Sequence, residues 1–393
     1  MSEIGPQTEL TYVLDRVLNP AIKWALQDEI KKIMLGTDTC KAIQDCCWKR
    51  HCPSVTLRRN DATKKASYFG LVSCKSTWIC SICMTRIQAA RSQEVRDGID
   101  RWVSQNDGDV KMITFTFSHK RGDQLSVMLE QFGEAMRFFA NSRQWQKVLR
   151  ETGAPGRVTA QEYTYGPKTG HHPHRHALLF IKKGTWRVRH TTAIKRLWKR
   201  CAARAGLKAS IEHGVDVCGG ESAGGYLTKF AEELALNVGK LGRGVDRCSP
   251  MGLVVESMDG NKWARGVFRE YAAAYKGKRQ LIWSKGLKEL LQIKDVSDVE
   301  ILEAGERYEN WGLLDPNGWD GILLKKLRAE LAECVGATGR IEIVRQLLSS
   351  NGIDPNTLTP ILEGKPTCLK RRKPKTESNH EPVSAPGVVE NSN

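Results

Sequence analysis

Several features of membrane and secreted proteins are missing from this sequence. No apolar run approaches the roughly 20 residues that a helix needs to cross a bilayer. The first ten residues carry neither the basic end nor the apolar stretch of a signal peptide. No internal repeat is present. We therefore expect a cytoplasmic protein without a membrane partner.

Acidic residues are scarce relative to basic ones. The 393 residues include 61 Lys and Arg against 44 Asp and Glu, which gives a formal net charge of +17 and a pI near 9.4. Such an excess is typical of proteins that bind polyanions, because lysine and arginine displace counterions from phosphates. With 40% hydrophobic residues the chain can bury a large core, and its length predicts more than one domain.

Disulfides are not expected in a reducing cytoplasm, so the twelve cysteines need another explanation. Cys74, Cys80 and Cys83 are spaced as three ligands of a closed, structural Zn²⁺ site. The fourth ligand must lie upstream, where four candidates remain open: Cys46, Cys47, His51 and Cys52. The solitary cysteines further along the chain are expected to pack in the interior.

The segment His171-His-Pro-His-Arg-His-Ala-Leu-Leu-Phe-Ile181 carries the richest chemical pattern. Alternate side chains of an extended strand share a face, so His172, His174 and His176 project to one side and Arg175 to the other. Imidazoles two residues apart can hold one divalent ion from the same direction. The segment therefore predicts a metal-binding strand.

A second alternating segment, 158–165, precedes this strand and joins it through Gly166-Pro-Lys-Thr-Gly170, which predicts a hairpin. Symmetric closure places Glu162 opposite His174 and makes it the third ligand. A two-residue shift in register would offer a less suitable residue instead: Ala160 or Thr164. Three protein ligands leave positions open for a substrate, and Mg²⁺ or Mn²⁺ there could polarise a phosphodiester.

Tyr226 is the candidate nucleophile. It follows two glycines at the start of a predicted helix, and Lys229 lies one turn further along the same side. A phenol is a poor nucleophile at neutral pH unless a cation or metal favours the phenolate. Lys229 could supply that charge or hold the scissile phosphate.

The remaining patterns indicate further strands and helices. Alternation predicts strands over 110–118 and 213–217. Apolar spacing predicts helices over 84–102, 123–150 and 191–205. The last helix is basic, and we expect its exposed side to contact DNA through four residues: Lys195, Arg196, Lys199 and Arg200.

In this order, the pieces resemble the rolling-circle replication initiators of small bacterial and archaeal plasmids, the HUH-endonuclease Rep group. Four passages carry the likeness: Gly70-Leu-Val-Ser-Cys-Lys-Ser-Thr-Trp-Ile-Cys-Ser-Ile-Cys83, Ile113-Thr-Phe-Thr-Phe-Ser-His119, His172-Pro-His-Arg-His-Ala-Leu-Leu-Phe180 and Gly225-Tyr-Leu-Thr-Lys229. The downstream passage Gly277-Lys-Arg-Gln-Leu-Ile-Trp-Ser-Lys-Gly-Leu287 also matches, so the likeness covers roughly residues 45 to 290.

The resemblance implies a central antiparallel sheet carrying His174 and His176, and a catalytic Tyr226 on a nearby helix. It implies nicking of plasmid origin DNA, single-stranded or in a hairpin, to give a 5′-phosphotyrosine and a free 3′-OH. Strand transfer would follow, with host helicase and DNA polymerase as partners. The spacing of the family's upstream cysteine favours Cys47 as the fourth zinc ligand.

Two residues depart from the family pattern. Arg175 stands where a hydrophobic residue is usual, which suggests that its face of the sheet is open or touches DNA. Some relatives carry a glutamate just before the tyrosine that activates water for termination. Glu221, five residues upstream, is the nearest candidate here.

The sequence thus predicts an α+β fold: a central antiparallel sheet with flanking helices, a small zinc-binding module and a mostly helical C-terminal region. The expected divisions are a helical extension at 1–40, the cysteine-rich module at 41–105, the nuclease domain at 106–245, a mixed region at 246–368 and a disordered basic tail at 369–393. Two other functions remain open. A transposase of the same superfamily shares the cysteines, histidines and late tyrosine, and a non-catalytic zinc-containing DNA-binding repressor would keep only the charge and the cysteines.

Overall fold

A computed structural model describes residues 20–218, 247–304 and 308–361. These residues form an α+β structure with two antiparallel sheets, as the sequence predicts for the fold class. None of the described helices combines the length and the apolarity required to span a bilayer. Tyr226, Lys229, Glu221 and the basic tail lie outside the described residues.

The first half of the chain contributes four strands of the larger sheet, its covering helices and two strands of a smaller sheet. In chain order these are α1 (Pro20–Ile33), α2 (Cys40–Asp45), β1 (Val55–Asn60), β2 (Lys65–Phe69), α3 (Ser81–Gln105), β3 (Gly108–Phe115), α4 (Leu125–Ala140), α5 (Arg143–Thr152), β4 (Gly156–Gly166), β5 (Gly170–Lys182), α6 (Val188–Arg204) and β6 (Val215–Cys218).

The second half adds shorter elements that complete both sheets. They are α7 (Pro250–Met258), α8 (Lys262–Tyr275), β7 (Leu281–Trp283), α9 (Leu287–Leu290), α10 (Asp298–Ala304), β8 (Glu309–Leu314), α11 (Pro316–Leu324), α12 (Arg328–Thr338), α13 (Ile341–Ser350) and β9 (Leu358–Pro360).

The larger sheet has the strand order β6-β3-β5-β4-β7. Its centre is the predicted hairpin, which the structure confirms: β4 and β5 pair antiparallel from Gly156↔Phe180 to Gly166↔Gly170. Gly170 adopts φ 82°, and a side chain there would lie 3.0 Å from the Arg121 backbone, so the turn requires glycine. The short turn fixes the register of both strands.

The two faces of this sheet are covered by different helices. On one face, the apolar residues of β3, β4 and β5 pack against α3 through Val95, Ile99 and Trp102. On the other, alternate residues of β3 and β5 pack against α4, α5 and α6, with Phe132, Phe139, Trp145 and Trp198 at the centre. The sheet is therefore buried on both sides over most of its length.

The predicted single helix over 123–150 is wrong, because the structure has two helices there. Helix α4 ends at Ala140, and Ser142 caps α5 by accepting a hydrogen bond from the Trp145 N–H at 3.1 Å. A serine side chain competes with the helical backbone and favours a helix start. Apolar spacing alone does not reveal this break, since both helices bury residues against the same face.

The smaller sheet, of order β2-β1-β8-β9, was not predicted from the sequence. Its core includes Val55, Leu57, Leu314 and Trp319, all fully buried. Strand β1 pairs with β8, some 250 residues later in the chain, and β7 joins the larger sheet beside β4. Each sheet thus contains strands from two of the predicted domains, whose boundaries were placed at 105 and 246.

Candidate metal centres

Glu162, His174 and His176 converge on one face of the larger sheet, which we call the histidine face. Glu162 lies opposite His174, in the register predicted from the turn. The Glu162 Oε2 atom is 2.9 Å from His174 Nε2 and 3.5 Å from His176 Nε2. These three side chains form a group that could hold a metal ion.

The surroundings of this group hold its ligand atoms in place. Burial alone would raise the pKa of Glu162, but the hydrogen bonds with His174 and His176 hold that pKa well below its usual range. The carboxyl group is therefore an anion. Thr114 Oγ1 lies 3.0 Å from His176 Nδ1, so an N–H there can donate to the hydroxyl and leave Nε2 as the ligand atom.

The donor set fits a divalent cation. Two imidazoles and a carboxylate suit borderline and hard ions, and Glu162 Oε1 is buried without a hydrogen-bond partner among the described residues. A buried carboxylate oxygen without a partner is costly unless a cation approaches it. The site can be reached, because His174 is partly exposed where the cover from α3 ends.

His172 was a weaker candidate ligand, and the structure places it beside the group without including it. Burial, with His174 and His119 nearby, lowers the pKa of His172 to about 3, so the ring is neutral. His172 Nδ1 lies 2.6 Å from His119 Nε2, and His119 Nδ1 lies 3.1 Å from the Thr169 carbonyl. Spacing assigns no role to His119, although this residue ends the passage Ile113–His119 that carries the family likeness.

Arg175 points away from the histidine face, and the prediction that its side of the sheet is open is wrong. Its guanidinium lies 4.5 Å from the centre of the Phe132 ring, which belongs to α4 and is fully buried. It also donates to Gln161 Oε1 at 3.1 Å. Arg175 therefore packs under α4 and is not positioned to meet DNA at the metal group.

The predicted basic helix is confirmed as α6, but it covers the face opposite the histidines. Ile194, Leu197 and Trp198 pack inward, while the four basic residues lie at partly or fully exposed positions: Lys195, Arg196, Lys199 and Arg200. Arg200 donates to Gln144 Oε1 of the neighbouring α5. DNA contact by this helix stays a prediction, at a surface remote from the metal group.

A second group of ligands consists of four cysteines: Cys46, Cys74, Cys80 and Cys83. Cys46 Sγ is 3.6 Å from both Cys80 Sγ and Cys83 Sγ, and Cys74 Sγ is 3.7 Å from Cys83 Sγ. A tetrahedron of sulfurs about 2.3 Å from zinc has edges of about 3.8 Å. The geometry therefore suits a structural Zn²⁺ site.

The choice of Cys47 as fourth ligand is wrong, because the structure brings its neighbour Cys46 into the group. Cys47 adopts φ 49° and donates its N–H to the Val72 carbonyl at 2.7 Å; its Sγ lies 3.9 Å from Cys46 Sγ but outside the group of four sulfurs. The alternative Cys52 also lies outside the group. Adjacent cysteines cannot be distinguished by spacing alone.

Gln27 and Arg328 support the cysteine group from outside. Gln27 Nε2 lies 3.7 Å from Cys80 Sγ and 3.2 Å from the Cys46 carbonyl, and its oxygen accepts from Arg328 at 3.0 Å. Such contacts orient the ligands and favour the thiolate form. The sequence gave no sign of them, since the three segments are far apart in the chain.

The fold and the two groups define an α+β protein with one open and one closed candidate metal site. The chain belongs to the replication protein family, whose sequence profile matches residues 66–312. This confirms the resemblance to plasmid replication initiators at the level of the family.

Two curated proteins illustrate the relationship. The neomycin resistance protein of Streptomyces cyanogenus is 28% identical over an alignment that covers 30% of this chain and 33% of that protein. Protein rep of Streptomyces lividans is 20% identical, with 66% of this chain and 74% of that protein covered. The chain therefore spans about a third of the first relative and about three quarters of the second. No solved structure matches.

Proposed function

We propose that the protein is a plasmid rolling-circle replication initiator, an HUH-type endonuclease and strand-transferase that nicks origin DNA. Membership of the replication protein family supports the biological role. The observation that carries the chemistry is the convergence of Glu162, His174 and His176 at the accessible end of the histidine face. A purely structural metal site would not need to be reached by a substrate.

The three ligands would hold Mg²⁺ or Mn²⁺ through the Glu162 carboxylate and the two Nε2 atoms. When bound, such an ion supplies a positive charge that polarises the scissile phosphate and stabilises charge building on its oxygens. The anionic state of Glu162 and the contact from Thr114 to His176 prepare these atoms for that role.

Tyr226 is the proposed nucleophile. Its hydroxyl loses a proton and its oxygen bonds to the phosphorus, while the bond from phosphorus to the 3′ oxygen breaks. The 3′ oxygen gains a proton, which leaves a free 3′-OH and a 5′-phosphotyrosine. Lys229 would favour the phenolate or hold the phosphate, and Glu221 would activate the water or hydroxyl used in termination. Host helicase and DNA polymerase would then use the free 3′ end.

The test uses labelled single-stranded oligonucleotides tiled across the DNA that flanks the gene. We expect wild-type protein to form a covalent adduct with one of them, visible by denaturing electrophoresis. Tyr226→Phe should bind the same oligonucleotide and form no adduct. An undiminished adduct in that variant removes Tyr226 from the proposed role.

A second variant tests the metal group. Replacing His174 and His176 together by Ala should abolish cleavage at any concentration of Mg²⁺ or Mn²⁺. His213→Ala is the matched control, since His213 is exposed in a turn away from the group. Cleavage by the double variant at the wild-type rate would rule out the proposed metal ligands.

A further inference from the structure

A large groove lies between the β1–β2 hairpin and the outer side of α3, and we call it the cationic groove. Its volume is about 1950 Å³, well beyond the roughly 300–1,000 Å³ of small-molecule pockets. Its lining comes from the β1–β2 hairpin, from residues between Gly70 and Lys75, from α3 and from the segment Gln292 to Leu302. A space of this size suits part of a polymer.

The charge of the groove is strongly positive. Among the described residues, eight lysines and arginines line it against three acidic residues. One of the three, Glu94, is already paired with Arg91 and Lys288. Lys65, Lys75 and Lys294 are exposed, and no ion pair joins them to a described carboxylate. The groove therefore has a surplus of positive charge that favours an anionic ligand over bulk counterions.

Two arginines show the same imbalance. Burial lowers the pKa of Arg58, and the positive charge of Arg86 lowers it further. The two guanidinium groups therefore repel each other. The hydrogen bonds that they make go to neutral acceptors, Asn310 Oδ1 for Arg58 and the Leu302 carbonyl for Arg86. Positive charge at both positions favours a bound anion beside them.

The same groove has an apolar and aromatic floor. Phe69, Ile82, Ile293 and Val296 are partly exposed in it, and the Arg58 guanidinium stacks 3.7 Å from the centre of the Phe69 ring. Stacked arginine and aromatic planes are platforms for unpaired bases, while a cationic rim follows the phosphates. A duplex keeps its base faces hidden and would gain little from such a floor.

We propose that the cationic groove binds single-stranded DNA without sequence preference. On the proposed function, which this inference deepens, the occupant is the unpaired strand that continues from the nick site. The groove lies outside the metal group and on a different side of the larger sheet from α6.

The test measures binding of the full-length protein to a fluorescent 20-nucleotide oligo-dT, which lacks any nick site, and to a matched duplex. The variant K65Q/K75Q/K294Q removes three exposed charges from the groove. We expect it to bind oligo-dT about tenfold more weakly at 150 mM salt, and the slope of log affinity against log salt to fall by about 2, at roughly 0.7 per phosphate contact. Arg58→Lys keeps the positive charge but loses the planar guanidinium that stacks on Phe69, so this variant should also bind oligo-dT more weakly.

The matched control is K183Q/K276Q/K325Q, which removes the same charge from exposed positions outside both the groove and α6. We expect it to bind oligo-dT as the wild type does. The double variant of His174 and His176 to Ala should also bind normally, so a failure of the nicking mechanism would leave this result unchanged.

The proposal is overturned by unchanged oligo-dT binding of the groove variant, by an equal loss in the control variant, or by tighter binding of the duplex than of the single strand. Circular dichroism of each variant distinguishes a lost contact from a lost fold, and a groove variant that is folded and binds weakly with an unchanged salt slope counts against the proposal.

Discussion

At the residue scale, the metal group depends on one contact that ligand spacing does not reveal. Thr114 is directly opposite His176 on the neighbouring strand, and its hydroxyl oxygen lies 3.0 Å from Nδ1, where it can accept a hydrogen bond. An N–H at Nδ1 leaves Nε2 as the atom that faces Glu162. The affinity of the group for a metal ion should therefore depend partly on Thr114, which is not itself a ligand.

Thr114→Val keeps the shape of the side chain and removes this acceptor. We expect Mn²⁺ affinity to fall by about tenfold or more, in line with the loss of other outer contacts of metal ligands. Titration calorimetry or electron paramagnetic resonance would measure it. Thr116→Val is the control, because its buried hydroxyl has no partner among the described residues. Equal affinities for the two variants would contradict this role.

The cysteine group gives a second prediction at this scale, since two adjacent cysteines have different environments. Cys46→Ser should lose bound zinc and unfold at a lower temperature, because it removes one of four ligands. Cys47→Ser should retain zinc, because Cys47 lies outside the group. Metal analysis of both purified variants is the measurement. Loss of zinc from Cys47→Ser alone would reverse the assignment.

At the scale of elements, a capping residue decides where one apolar pattern is split into two helices. The apolar pattern is continuous through α4 and α5, yet α4 ends at Ala140 and Ser142 caps the start of α5. Its hydroxyl accepts from Trp145 N–H and donates to the Phe139 carbonyl at 2.9 Å. The resulting bend allows Trp145 to pack against Phe139 in the core.

Ser142→Ala should lower the free energy of unfolding by about 1 kcal/mol, the usual cost of losing a capping oxygen. Denaturant titration, followed by tryptophan fluorescence, would measure the change. Asn141→Ala serves as the comparison, because Asn141 is exposed and makes its cap bonds to the Arg137 and Phe139 carbonyls through its backbone N–H. Identical midpoints for the two variants would show that the cap does not stabilise this junction.

At the scale of the whole molecule, segments from opposite ends of the described chain meet around Arg328. This residue is 2% exposed, donates to Gln27, pairs with Asp28 and lies 4.5 Å from the centre of the Trp24 ring. It connects α12 to the helix that supports the cysteine group. The smaller sheet joins the same regions through β1 and β8.

Arg328→Met should lower the free energy of unfolding by about 3 kcal/mol, since it leaves the Asp28 carboxylate without its cation in a partly buried place. The double variant D28L/R328M should recover part of that loss, because the unpaired charge is gone. Denaturant unfolding of the two variants provides the comparison. A double variant that is less stable than Arg328→Met would contradict this account.

The sequence by itself determined the hairpin, its register and the types of ligand. Alternation fixed which side chains share a face, and the short turn from Gly166 to Gly170 fixed that Glu162 meets His174. These features depend on neighbours in the chain, so local spacing is sufficient to predict them.

Only the tertiary structure decided which of Cys46 and Cys47 joins the zinc group, that Arg175 packs under α4, and that β1 pairs with β8. It also formed the cationic groove from segments more than 200 residues apart. The physical reason is that such contacts depend on the packing of whole elements, whose free energy is spread over many distant residues and leaves no local pattern in the sequence.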